Sequence, residues 1–244
     1  MVAVPVPKAL RNSAAAIDDV LDRPIEFSPS HWQRQLERFS VRAEVVAELR
    51  GSEAGADLPR ITRQELVAYV AERGIQDRDD RIDAFLAAMI WGGGPPRRRD
   101  RRGGDSRTPW RIATALSSRR FGDPDEHLVA SLRALREGDL ESAYLAATRL
   151  HWVSGSFATK WLWLIGEVES IEPRPLIWDS VTVAWLNRHS PALASRRASP
   201  ARTKTDAGLY RDYVVSLDAW AAELGVAGGS PKIEAFIFAS QQAA

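Results

Sequence analysis

The chain has 244 residues, no cysteine, 45% hydrophobic residues and a formal net charge of +1. That length allows one large domain or two small ones, and the apolar share allows a sizeable core. The lack of cysteine excludes disulfides and thiolate metal sites, and no apolar run approaches the ~18 residues of a membrane span. The first residues, MVAVPVPK, lack the charged start and long apolar core of a signal peptide, so a soluble, cytoplasmic protein is expected.

Helical signals recur along the whole chain. Trp32, Leu36, Phe39 and Val46 form a stripe at helical spacing, which predicts a helix over 31–50. Thr62 and Glu65 have the spacing of a capping box before Leu66, Val67 and Val70, with Gly74 as the stop, which predicts a helix over 62–73. Further helices are predicted over 78–91, 109–120, 124–136, 139–150 and 159–167, then over 180–189, 207–224 and 231–241. Thr108-Pro109, Asp123-Pro124 and Ser230-Pro231 each join an N-cap residue to a proline suited to the first helical position. Alternating strand patterns are scarce. The expected fold is all-α, with about ten helices in a two-lobed body. Residues 1–60 are expected as an N-terminal arm with helices packed on that body, and residues 61–244 as the main domain.

Composition marks 51–60, 92–106 and 190–204 as loops. The second carries a net charge of +3 and the third +4, so the rest of the chain is mildly acidic. Two basic loops on such a body suit an anion such as a nucleic-acid backbone, or are simply solvated. In AAMIWGGGPPRRRDRRGGD, Arg97, Arg98, Arg99, Arg101 and Arg102 are candidate phosphate contacts. Trp91, just before the three glycines, is either a core residue or a stacking surface for an unpaired base.

Two stretches carry the candidate chemistry. In VSGSFATKW, Gly155, Ser156 and Ala158 are small, and Thr159 has the character of a cap for a helix starting at Lys160. A tight turn leading into a helix presents N–H groups that hold phosphate, or it is an ordinary connection. The lysine stands before the apolar run Trp161–Ile165, a position that calls for a reason. In PLIWDSVTVAWL, Asp179 fits an N-cap, and a capping aspartate keeps one oxygen for other work. Nineteen residues separate Lys160 from Asp179, enough for a helix, a proline-containing loop and a second helix start. Trp152, Trp161, Trp163, Trp178 and Trp185 fall in the same region, most as core and one or two as pocket lining. The four histidines share no ligand spacing, and no phosphate-binding or dinucleotide glycine motif is present, so no metal and no cofactor is expected.

The small turn, Thr-Lys, apolar helix, nineteen-residue step and aspartate before a helix resemble the helix-hairpin-helix DNA glycosylases. The resemblance is to the 8-oxoguanine branch, and to its short bacterial members in particular, over residues 78–241. It implies that Lys160 is the nucleophile and Asp179 its assistant, acting on double-stranded DNA that contains a modified base. It also implies a monomeric, nucleoid-associated enzyme without cofactor. The hairpin residues Gly155, Ser156, Ala158 and Thr159 would contact DNA. In IEAFIFAS, Phe238 stands at the position that stacks on the extruded base, and Glu234 at the position that reads its edge, with Trp91 and Trp178 as further pocket candidates. Ala158 stands where the family's hairpin has glycine, and Glu234 where the family has glutamine. Base excision is thus the leading expectation, with strand cleavage following from an imine. The biological setting is either repair of 8-oxoguanine or, preferred, antiviral defence by removal of a base such as glucosylated hydroxymethylcytosine. A non-catalytic helical DNA-binding protein and a helical domain that binds an acidic protein are the alternatives.

Overall fold

The computed structural model describes residues 4–18, 20, 24–49, 58–93, 107–120, 122–195 and 200–242. Arg97, Arg98, Arg99, Arg101 and Arg102 lie outside the described residues, as do Arg196 and Arg197 of the second basic loop. The described residues hold thirteen α-helices, ten of them seven residues or longer, and one two-stranded antiparallel ribbon. The fold is all-α, as the periodicity predicts. No helix among the described residues is long and apolar enough to cross a membrane.

The chain forms two compact units. One comprises Met1–Asp22, Ala130–Thr148 and Ser154–Ala244; the other comprises Arg23–Val129 and Arg149–Val153. In chain order the helices are α1 (Lys8–Arg11), α2 (Ala14–Ile17), α3 (Pro29–Arg38), α4 (Glu44–Leu49), α5 (Arg63–Arg73), α6 (Arg78–Gly92) and α7 (Thr108–Ser117). They continue with α8 (Pro124–Arg136), α9 (Leu140–Ala147), α10 (Gly155–Glu169), α11 (Ser180–His189), α12 (Lys204–Leu224) and α13 (Ser230–Gln242). The strands β1 (Ile25–Glu26) and β2 (Arg60–Ile61) pair with each other.

Short-range signals set many helix starts. Thr62 and Glu65 close the capping box in both directions, at 3.1 Å and 2.7 Å. Asp77, Asp123 and Asp139 accept backbone N–H groups at the starts of α6, α8 and α9, each at 2.9–3.0 Å. In the second unit, α6 buries every residue from Asp83 to Trp91 and packs against α4, α5 and α7, while α7 also packs on α3. In the first unit, α12 packs on α9 and α13, and α10 packs on α9.

Several helix ends differ from the periodic reading by up to three residues, and two differences are larger. The helix expected over 31–50 is broken into α3 and α4. Ser40 takes a left-handed φ of 55°, and the N–H of Val41 returns to the Leu36 carbonyl at 2.9 Å, which closes the end of α3. That closure normally announces itself with glycine or asparagine, and here a serine does the job. The second difference is the start of α10 at Gly155 rather than after Thr159. The Ser154 carbonyl accepts the N–H of Phe157 and of Ala158, so the small-residue turn is itself the first turn of the helix.

Candidate active site

Lys160 and Asp179 meet within the first unit, and how they meet follows from the elements around them. Gly155 admits α10 to the site: a Cβ there would stand 2.0 Å from the Tyr144 hydroxyl and 2.7 Å from Pro200. One turn into the helix, Lys160 is flanked by Ala158, Thr159, Trp161 and Leu162, all fully buried. The chain then returns along α10. Gly166 lets Pro175 approach, since a Cβ would lie 2.4 Å from its ring.

The returning backbone is held on both sides. Tyr210 and Tyr213 of α12 donate their hydroxyls to the carbonyls of Leu176, at 3.1 Å, and Ile177, at 3.2 Å. From α10, the Thr159 hydroxyl accepts the N–H of Trp178 at 3.1 Å. These three bonds fix the residues just before Asp179, and so fix where its carboxylate stands.

Asp179 uses both oxygens. Oδ1 caps α11, accepting the N–H of Val181 at 2.9 Å and of Thr182 at 3.1 Å. Oδ2 accepts from Lys160 Nζ at 3.1 Å. Both side chains are about one-tenth exposed. Burial by itself would raise the Asp179 carboxyl. The Lys160 charge and the N–H donors of Thr182 and Val181 outweigh it and hold the group below its ordinary value. The Lys160 amine also lies 3.4 Å from the Ser156 carbonyl and 5.9 Å from the centre of the half-buried Phe157 ring. The result is an amine with one carboxylate, one carbonyl and one aromatic face around it, largely removed from water.

The other expected site residues fall differently. Ala158 and Thr159 are fully buried, and the Thr159 hydroxyl is engaged with Trp178, so Thr159 orders the site rather than facing outward. The Gly155 N–H is bonded to the Pro200 carbonyl at 3.2 Å, and Ser156 is partly exposed in the first turn. Trp178 is fully buried among Tyr144, Tyr210 and Tyr213, with centroids 6.2–6.4 Å away, as part of the core. Glu234 on α13 is also fully buried. Phe238, one turn further along α13, is partly exposed. Trp91 belongs to the other unit, buried under the Arg63 guanidinium at 5.5 Å. No group of three or more metal-binding side chains occurs among the described residues.

Sequence reasoning missed the three hydroxyls. Neither the phenol of Tyr213 nor that of Tyr210 gives a local signal for a carbonyl more than thirty residues away. It also missed the tie between the second basic loop and α10. Asp206, buried at the start of α12, accepts the Ala201 N–H at 2.9 Å and the Ser195 hydroxyl at 3.0 Å, and Tyr144 donates to the Ala201 carbonyl at 2.7 Å. The described ends of that loop, with exposed Arg202 and Lys204, are thereby anchored beside the first turn of α10.

The role given to Thr159 has a direct consequence for stability. Thr159→Val keeps the shape but leaves the Trp178 N–H buried without an acceptor, which costs about 1–3 kcal/mol. Thr159→Ser keeps the acceptor and should cost clearly less. Urea unfolding of the two variants checks the order.

A helical protein with a desolvated lysine held on an aspartate that caps the next helix is a recognisable class of site. The family model described as "Putative 8-oxoguanine DNA glycosylase OGG-like protein" matches residues 18–238, and the chain belongs to this family. Its description points to DNA glycosylase activity, with DNA as the substrate class. No curated protein and no solved structure matches the chain.

Proposed function

We propose that the protein is a DNA glycosylase in which Lys160 is the nucleophile and Asp179 stabilises the charge that develops on the sugar. The observation that carries this reading is the buried contact of 3.1 Å between Lys160 Nζ and Asp179 Oδ2. A deprotonated Lys160 amine attacks the sugar C1′. The new C1′–N bond forms as the glycosidic bond breaks; the electron pair of the broken bond leaves with the base, which takes up the proton that the newly bonded nitrogen sheds. Asp179, kept ionised by its donors, offsets the positive charge on the opening sugar. Ring opening yields an imine, through which the strand can be cut at the abasic site by elimination. Extrusion of the target costs a few kcal/mol and is easiest for a poorly paired base.

Glu234 supports a reading of the base. An ionised carboxylate only accepts hydrogen bonds, so it fits an edge that presents donors: the N1–H and N2 amine of a guanine type, or the N4 amine of a cytosine type. Phe238, one turn away on α13, is partly exposed and would supply the stacking face, whereas Glu234 is fully buried and would reach the base edge only if a bound base displaced what packs over it. Because a carboxylate stands where the last helix of the 8-oxoguanine branch has glutamine, we favour a modified cytosine such as glucosylated hydroxymethylcytosine, removed from phage DNA in defence. Repair of 8-oxoguanine is the second reading, favoured by the family's name.

Incubation with genomic DNAs of differing modification, followed by mass spectrometry of released bases, tests both. Release of one modified base from one DNA type is expected, and no release from any of them contradicts the proposal. Glu234→Gln is expected to change the ratio of released bases by roughly tenfold, equivalent to ~1.4 kcal/mol of discrimination. An equal loss on every substrate, with a lower melting temperature, would mark Glu234 as structural instead.

A further inference from the structure

Among the described residues, Trp152 stands apart. Its side chain is 47% exposed, whereas the other tryptophans nearby in the sequence, Trp161, Trp163, Trp178 and Trp185, are buried. Its φ is +63°, a backbone conformation that glycine or asparagine adopts readily and a bulky aromatic residue does not. The turn that holds it is anchored on both sides. Leu150 and Val153 are buried, and the Val153 N–H closes on the Leu150 carbonyl at 3.1 Å. Strain of this kind persists where the surroundings impose it, and it concentrates at sites of function.

The surroundings of Trp152 lie wholly within the second unit. Trp110 of α7 packs at a tilt with centroids 5.6 Å apart, and His151 meets the indole edge-on at 5.0 Å. The Arg111 guanidinium lies over the ring at 5.9 Å. The two segments that build the patch, 107–111 and 149–153, contain Arg107, Arg111 and Arg149 and no acidic residue. None of these arginines forms an ion pair among the described residues. A flat aromatic face beside arginines that form no ion pair among the described residues matches the two halves of a nucleotide, since a base stacks on the indole while its phosphate meets a guanidinium. A protein partner would need a wider apolar surface than one indole supplies.

We propose that Trp152, supported by Trp110 and flanked by Arg111, with Arg107 and Arg149 on the same two segments, is a stacking platform for an unpaired nucleobase in DNA. This rests on the reading of the protein as DNA-acting, but not on its chemistry. The platform stands eight residues before Lys160 in the chain, at the turn that leads into α10, and no part of the proposed excision step assigns it a role.

The test measures binding, not excision. Full-length wild type, Trp152→Phe, Trp152→Gly and Arg111→Gln are titrated against three duplexes of equal length. One is fully paired, one carries a single unpaired 2-aminopurine, and one carries an abasic site; anisotropy and 2-aminopurine quenching are the readouts. Trp152→Gly should weaken binding to the unpaired-base duplex by roughly tenfold and lose the quenching, and Trp152→Phe should restore most of both. Because glycine relieves the left-handed backbone, the Trp152→Gly protein should melt no lower than wild type. Arg111→Gln should weaken all three duplexes alike and flatten the salt dependence. Equal affinity of wild type and Trp152→Gly, a parallel fall in melting temperature and in all affinities, or no DNA affinity in wild type would each overturn the proposal. If wild type releases no base from any DNA while Trp152→Gly still loses the unpaired-base duplex, the platform stands and the glycosylase reading falls.

Discussion

Lys160→Gln is expected to abolish base excision, by roughly 10³-fold or more, while the protein still folds and binds DNA. The loss should be this large because the lysine nitrogen forms the new bond to the sugar, and an amide nitrogen, whose lone pair is delocalised into its carbonyl, is not nucleophilic. The fold should survive because glutamine is nearly as long and can donate to Asp179 Oδ2 in place of the amine. The aspartate also keeps its two N–H donors from α11, so it is not left as a bare buried charge. A few kcal/mol is the upper limit of the stability loss. The decisive comparison is affinity for substrate duplex against single-turnover release of the base. If both fall together, Lys160 is a contact residue and not the nucleophile.

Asp179 should show two separable effects. Asp179→Asn keeps an oxygen for the Val181 and Thr182 N–H groups but turns an amide NH₂ toward Lys160, donor against donor. Excision should fall by roughly 10²–10³-fold, because the charge facing the opening sugar is gone. Asp179→Ala also removes the cap and leaves Lys160 without a partner. It should cost about 3–5 kcal/mol, a fall in melting temperature of roughly 10 °C for a chain of this size. The order Ala worse than Asn in stability, with both inactive, separates the cap from the charge. The pH dependence has a definite sign. A carboxyl whose folded value is depressed contributes stability that is present above its unfolded value, about 4, and is lost as pH falls through the lower folded value. The melting-temperature gap between wild type and Asp179→Asn should therefore be full near neutrality and narrow only below about pH 4. A gap that widens on acidification would contradict an ionised aspartate.

The parts of the site that could be read from the chain are those with short-range causes. Asp179 before an apolar helix, and Lys160 between small residues and an apolar run, are local patterns, and the spacing between them is the length of one helix and a return. Their contact rests on that local logic. What escaped the sequence rests on distant partners. Ser40 ends α3 without the usual glycine, because closure depends on a carbonyl five residues back rather than on residue type. The first turn of α10 looked like a connection because Gly155 is needed for the approach of Tyr144 and Pro200, eleven and forty-five residues away. Thr159 looked like a cap and is instead an acceptor for the Trp178 backbone. Trp152 was one of five tryptophans that the sequence divided between core and pocket lining without distinguishing them, and no side-chain pattern discloses a left-handed φ.

The central claim is that the Lys160 amine becomes bonded to the sugar during excision. Borohydride reduction of wild-type enzyme working on its substrate DNA, followed by peptide mapping, tests it most directly. The account predicts a covalent enzyme–DNA product attached at Lys160, absent from Lys160→Gln. Excision that persists in Lys160→Gln with no trapped product, or a product mapped to another residue, would contradict it.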